Sequence, residues 1–132
     1  MTESDRIRYL RIVLVAVGLV FIFGIWTLGL IWPSGWAWHA EGRSEYYEMI
    51  LGLYATLGVF LIIAARNPRA HASLIWFTVW SSLVHGAIMA VQSLSKPQHM
   101  GHLWGDVLAL FAVAIVLALL MPRGSAPSAA TA

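Results

Sequence analysis

The sequence predicts an all-α fold, a four-helix transmembrane bundle with both termini in the cytoplasm. The first observation is composition, since 60% of the 132 residues are hydrophobic and only 11% are charged. Soluble domains average roughly 25% charged residues. The second observation is that the apolar residues occur in long runs, as membrane helices require. The third is that basic residues collect in the segments that a four-span chain places on one side of a membrane.

The first predicted helix covers about residues 7–32. Residues 12–32 carry no charge, and their 21 positions at ~1.5 Å each reach roughly 30 Å, the thickness of a bilayer core. A signal peptide has a shorter apolar region and a small-x-small cleavage site, and the segment 33–40 offers no such site. We therefore interpret this helix as a retained signal anchor, with Ser4 as its N-cap.

The second and third helices are predicted at about 45–65 and 68–94, and a tight turn joins them. Ser44 has the side chain of a good N-cap for the second helix. Asn67 is expected to cap the third helix, and Pro68 to occupy its first position, where proline is well tolerated. The two helices should therefore form an antiparallel hairpin.

The fourth helix is predicted at about 98–121, directly after Pro97. It ends at Pro122, and the small polar residues 124–132 are predicted to form a disordered tail. Residues 1–123 are thus expected to form one four-span membrane domain.

Small residues indicate how the helices pack and with what they associate. Ala55 and Gly58 predict that the second helix packs closely against the third.

A bundle of four short helices is thin, so the expected partners are the lipid bilayer and either a second copy of the chain, in a homodimer, or a partner membrane subunit. No nucleic-acid-binding motif or dense basic patch is present, which argues against a nucleic-acid partner.

The orientation is predicted from the basic residues, because cytoplasmic loops are rich in lysine and arginine. Six of the eight basic residues lie before the first helix, between the second and third, or after the fourth. This places both termini in the cytoplasm of a multi-pass protein of a cell inner membrane. Tryptophans near the predicted helix ends are typical of an aromatic belt. The six basic residues are Arg6, Arg8, Arg11, Arg66, Arg69 and Arg123, and the belt includes Trp36 and Trp38 near the outer boundary.

The third helix carries polar side chains every seven residues, at His71, Thr78, His85 and Gln92. This spacing is close to two helical turns, so these residues share one face. A polar face inside a membrane must turn toward protein or a water-filled cavity. We therefore expect it to line an outward-facing pocket, together with two tyrosines that share a face of the second helix. The predicted ligand-binding residues are His85, Gln92, Tyr54, Tyr47, Ser81 and Met89.

His85 has two interpretations that the sequence leaves open. It is either a structural histidine hydrogen-bonded across helices, to Tyr54 or to a serine, or a site residue for protons, ligand or metal. The second interpretation follows from the cost of an ionisable group at membrane depth, which is normally retained for function.

A candidate metal site lies at the outer ends of the second and fourth helices. Imidazole together with carboxylate suits zinc, iron, copper or manganese. The spacing matches no known metal signature, so the same residues also suit plain interfacial polar roles. The chain has no cysteine, which excludes disulfides and thiolate metal sites. The candidate metal ligands are Glu48, His99, His102 and Asp106.

The histidine spacing argues against haem as a cofactor. His71 and His85 lie 14 residues apart on one helix, about 21 Å, so they cannot hold one iron between them. No nucleophile elbow or comparable catalytic motif is present, so an enzyme is not favoured.

Three functions remain. The leading one is a small, non-catalytic inner-membrane protein that binds a small molecule, a lipid or a partner subunit through the polar pocket. The first alternative is a proton- or metal-linked small transporter in which His85 titrates, since histidine changes charge near neutral pH. The second alternative is a metal- or quinone-dependent membrane enzyme.

The segment from Tyr47 to Gln92 reads YEMILGLYATLGVFLIIAARNPRAHASLIWFTVWSSLVHGAIMAVQ. With it in view, the chain resembles small bacterial four-helix integral membrane proteins of unknown function, and it is similar in size and layout to the DoxX-like group. The resemblance implies a bacterial inner-membrane location and no assigned chemistry. Small multidrug transporters are less similar, because they need a membrane-embedded glutamate in the first helix, which here has no acidic residue after Asp5.

Overall fold

The computed structural model describes residues 1–38 and 44–122, and every regular element in these ranges is helical. This confirms the all-α prediction. Four helices are long and apolar enough to cross a membrane, which indicates a multi-pass membrane protein. Arg123 and the predicted disordered tail lie outside the described residues. We call the four helices the first to fourth spans, and they cover Glu3–Ile31, Glu45–Ala64, Ala72–Ser95 and Pro97–Leu120.

The first span begins at Glu3, four residues before the predicted start, because Thr2 and not Ser4 is its N-cap. The Thr2 hydroxyl accepts a hydrogen bond from the backbone N–H of Asp5 at 3.2 Å. The Asp5 carboxylate accepts one from the backbone N–H of Thr2 at 3.1 Å. This reciprocal capping box satisfies two backbone donors that a helix start leaves unpaired.

The first span is not uniformly α-helical. Its α-helix α1 (Glu3–Leu19) passes into a π-helical segment, Val20–Gly24, before α2 (Ile25–Ile31) completes the span. Segments of π-helix are rare and frequently occur at functional sites. The sequence carries no signal that predicts this segment.

The second span is the α-helix Glu45–Ala64, and Ser44 caps it as predicted, accepting a hydrogen bond from the backbone N–H of Tyr47 at 3.2 Å. The close packing of Gly58 is with the first span and not with the third, which corrects the prediction. A Cβ atom added to Gly58 would lie 2.5 Å from the carbonyl oxygen of Gly18. A Cβ added to Gly18 would lie 2.7 Å from that of Gly58. The two glycines therefore bring the backbones of the first and second spans into contact.

The third span begins at Ala72, with His71 in the cap position, and not at Pro68 as predicted. Two successive turns precede it, in which the N–H groups of Ala70 and His71 donate to the carbonyls of Asn67 and Pro68 at 3.1 and 3.2 Å. The backbone of His71, with φ −112° and ψ 26°, is not helical. The turn between the second and third spans is consequently longer than the sequence suggested.

The buried face of the third span is rotated from the predicted polar face. Thr78 and Met89 are buried, whereas His85 is half-buried and Gln92 is exposed. Seven residues fall short of two full turns, so a seven-residue repeat drifts by ~20° per repeat across a straight helix. The residues of the predicted polar face therefore move from the middle of the buried face toward one edge of it along the helix. The buried residues are Ile75, Thr78, Val79, Ser82, Gly86, Met89 and Ser93.

The fourth span starts as a 3₁₀ helix, Pro97–Leu103, and becomes α-helical only at Asp106–Leu120. The bounds of this span agree with the predicted 98–121 to within one residue, but its first turns are 3₁₀ and not α-helical. Gly101 and Gly105 sit directly beneath the backbone of the short helix Pro33–Trp36, and a side chain at either glycine would collide with it. This contact ties the segment after the first span to the start of the fourth.

Two polar contacts define one end of the bundle. Arg6 donates through Nη1 to the carbonyl of Leu119 at 2.5 Å, and Arg69 forms an ion pair with Glu3 at 3.1 Å. The start of the first span, the turn 66–71 and the end of the fourth span therefore meet at this end, which we call the arginine end. The opposite end, with Pro33–Trp36 and the 3₁₀ helix, is the loop end.

Candidate functional site

A cavity of about 450 Å³ opens in the loop-end half of the bundle. All four spans contribute to its wall, and so does the segment after the first span. Most of the wall is aliphatic or aromatic, and a smaller polar group faces it from the second, third and fourth spans. The apolar wall includes Val20, Phe21, Ile25, Ile50, Leu110 and Val113, and the polar group is Tyr47, Tyr54, His85, Gln92 and Asp106.

The cavity brings together five of the six residues predicted to bind a ligand. Ser81 is the exception, since its hydroxyl donates to the carbonyl of Thr78 within its own helix, at 3.3 Å, and it does not line the cavity. The others converge because the edge of the third span that carries His85 turns toward the second span. The five residues at the cavity are His85, Gln92, Tyr54, Tyr47 and Met89.

The second and third spans are joined at the cavity by Tyr54 and His85, whose hydroxyl oxygen and Nδ1 lie 2.6 Å apart. A phenol is a better hydrogen-bond donor than a neutral imidazole, so we assign the proton to Tyr54 and acceptance to Nδ1. The Nε2 of His85 then carries the ring proton and remains a donor. The Tyr54 ring packs edge-on against Phe21, with centroids 4.8 Å apart. The interpretation of His85 as a histidine bonded across helices to Tyr54 is confirmed, and His85 also borders the cavity.

A second polar cluster lies at the loop-end side of the cavity. The indole N–H of Trp38 donates to Oδ2 of Asp106 at 2.8 Å. The Nδ1 of His102 lies 3.1 Å from both carboxylate oxygens of Asp106 and must donate, since a carboxylate only accepts. The Trp38 ring also stacks on His102, with centroids 4.1 Å apart. Asp106 and the nearly inaccessible His102 are thus satisfied within the protein.

The four predicted metal ligands are not assembled into one site. His102 is engaged with Asp106, and His99 stacks on Trp38 at a centroid distance of 5.1 Å. Glu48 lies exposed on the second span. Across residues 1–38 and 44–122, no group of three or more histidine, aspartate or glutamate side chains is placed to hold a metal ion.

Sequence reasoning missed the cavity roles of Trp38 and of the π-helical residues Val20 and Phe21. Tryptophans near a predicted helix end are typical of an aromatic belt, and that pattern conceals a specific contact. Nothing in the local sequence VFIFG distinguishes a π-helical segment from the α-helix around it. The contacts of Trp38 depend on partners distant in the chain.

Comparison with known proteins relates this chain to one protein family. A family model described as a family of unknown function (DUF6632) matches residues 4–130. No curated protein and no solved structure matches the chain significantly. Because the family model covers nearly the whole sequence, the four-span chain with its loop-end cavity belongs to this family of unknown function.

Proposed function

We propose that this protein binds, without catalysis, a lipophilic small molecule that carries a hydrogen-bond-accepting oxygen, and that it does so in the loop-end cavity. The observation that carries the proposal is the cavity itself. Its volume of about 450 Å³ lies within the usual range for small-molecule sites. Such sites are mostly apolar with a few placed polar groups, and this one has the same composition.

The polar groups with unused hydrogen-bonding capacity favour a ligand that accepts. Asp106 already accepts from Trp38 and His102, which uses part of its accepting capacity. His85 accepts from Tyr54 through Nδ1, which leaves its Nε2–H to donate. A carbonyl, ether or hydroxyl oxygen meets this requirement, whereas a carboxylate would be repelled by Asp106.

We further propose that the arginine end faces the cytoplasm of a bacterial inner membrane and that the cavity opens outward. The arginine end holds Arg6, Arg8, Arg11 and Arg69, as expected for a cytoplasmic face. The resemblance to small bacterial membrane proteins supports the choice of membrane.

The test compares small molecules that copurify with three forms of the protein. Leu110 lines the cavity and is buried, so Leu110→Trp should fill it; Leu119 lies on the same helix with 65% exposure, so Leu119→Trp is the matched control. We expect mass spectrometry to find one or more lipophilic compounds enriched with the natural protein and with the control but depleted with Leu110→Trp. Identical profiles for all three would refute binding in this cavity.

Leu110→Trp could fail to fold, so Val113→Phe is a second, milder variant that also narrows the cavity, which Val113 lines. It should deplete the same compounds. If the protein were instead a transporter driven by His85, reconstituted vesicles would show pH-dependent uptake of the identified compound, lost in His85→Gln. We expect equilibrium binding with no such uptake.

A further inference from the structure

A second concavity lies at the arginine end, on the far side of the bundle from the proposed ligand cavity. It has a volume of about 510 Å³. The start of the first span supplies one wall and the turn 66–71 supplies the other. The residues that line it are Glu3, Ser4, Ile7, Arg8, Arg11 and Arg69.

The charges in this concavity are unbalanced. Three guanidinium groups face it with one carboxylate, and that carboxylate, Glu3, is already paired with Arg69 at 3.1 Å. Arg8 and Arg11 are exposed, and neither forms an ion pair with another residue in the described part of the chain. They lie one helical turn apart on the same face, where like charges repel. An anion bound between them would relieve this repulsion.

The depth of the concavity identifies the kind of anion. The uncharged stretch of the first span begins at Ile12, so Arg11 lies where the hydrocarbon core ends and the lipid headgroups begin. Phosphate groups of lipids occupy this level, and guanidinium groups bind phosphate through two parallel hydrogen bonds. The Ser4 hydroxyl at the same concavity is a further donor.

We infer that this concavity binds the phosphate group of an anionic membrane lipid. A basic residue that serves only to orient the chain needs no particular neighbour, whereas Arg69 is brought against the first span from a separate segment by its ion pair with Glu3. The inference depends on the membrane location and not on the identity of any ligand in the loop-end cavity.

The experiment measures thermal unfolding in a neutral detergent as phosphatidylglycerol is added, with phosphatidylcholine as the uncharged-lipid comparison. Arg8→Gln and Arg11→Gln remove charges from the concavity. Arg66→Gln removes the same charge from the same end of the bundle at an exposed residue that does not line the concavity. We expect phosphatidylglycerol to raise the unfolding temperature of the natural protein and of Arg66→Gln, and each concavity variant to need about fivefold more lipid for the same shift.

Three outcomes would overturn the inference. If Arg66→Gln weakened the response to phosphatidylglycerol as much as Arg8→Gln and Arg11→Gln do, the general positive charge of this end would explain the binding. Equal stabilisation by phosphatidylcholine would remove any role for the anion, and equal stabilisation by inorganic phosphate at the same concentration would identify a soluble anion as the ligand. Arg11→Lys keeps the charge without the two parallel donors, so a response between those of the natural protein and Arg11→Gln supports a phosphate contact.

Discussion

The hydroxyl of Tyr54 and Nδ1 of His85 lie 2.6 Å apart, and this contact links the second and third spans at the wall of the cavity. The two spans meet much less closely elsewhere than the first does with the second or the third with the fourth. This contact therefore positions His85 and links the two spans at the cavity wall. Its removal tests both roles.

Tyr54→Phe should lower the free energy of unfolding by about 1–2 kcal/mol, because Nδ1 of His85 loses its partner in a half-buried place. Equilibrium unfolding in mixed detergent micelles measures the change. Tyr46→Phe is the matched control, since Tyr46 is 80% exposed. Equal stability of the two variants would show that the Tyr54–His85 contact contributes nothing measurable.

Gly58→Ala should destabilise the protein by about 1–3 kcal/mol, the usual cost of overpacking, because the new Cβ would meet the carbonyl oxygen of Gly18. Gly52→Ala is the control on the same helix, since a Cβ at Gly52 has nothing within 4 Å. Alanine is the better helix former, so Gly52→Ala should be neutral or slightly stabilising. Thermal unfolding of both variants is the measurement, and a harmless Gly58→Ala would contradict the close approach of the two spans.

Trp38→Ala should cost more stability than Trp104→Ala, although both remove a tryptophan near the loop end. Trp38 donates to Asp106 and stacks on His102, whereas Trp104 is 75% exposed. The expected loss for Trp38→Ala is about 2–4 kcal/mol, from one charge-assisted hydrogen bond and the ring packing. Trp38→Phe should recover the packing part alone, and unfolding curves of the three variants separate the contributions. Similar unfolding curves for the two alanine variants would show that Trp38 contributes no more to stability than the exposed Trp104 does.

The proposed orientation can be tested by labelling single cysteines, because the natural chain has none. Ser4→Cys at the arginine end and Gln98→Cys at the loop end are both exposed positions. In intact bacterial cells, a membrane-impermeant maleimide should label Gln98→Cys and leave Ser4→Cys unlabelled until the cells are opened. The reverse pattern would place the cavity on the cytoplasmic side.

The sequence by itself determined the number and the approximate extent of the membrane helices, because span length and apolar composition are local properties. It also determined that Ser44 caps the second span, since a capping side chain acts within its own helical turn. The clustering of Tyr54 and His85 was predictable because each lies on a recognisable helix face. Their depths along antiparallel helices also match.

Only the tertiary structure decided which helices pair, where the fourth span becomes α-helical and what Trp38 contacts. Apolar residues that face lipid are chemically like those that face another span, and Gly58 carries no local mark of its partner Gly18. The 3₁₀ start of the fourth span likewise accompanies the fit of Gly101 and Gly105 beneath the distant Pro33–Trp36 helix. Periodicity along one helix reports which residues share a face, and contacts between segments far apart in the chain decide what that face meets.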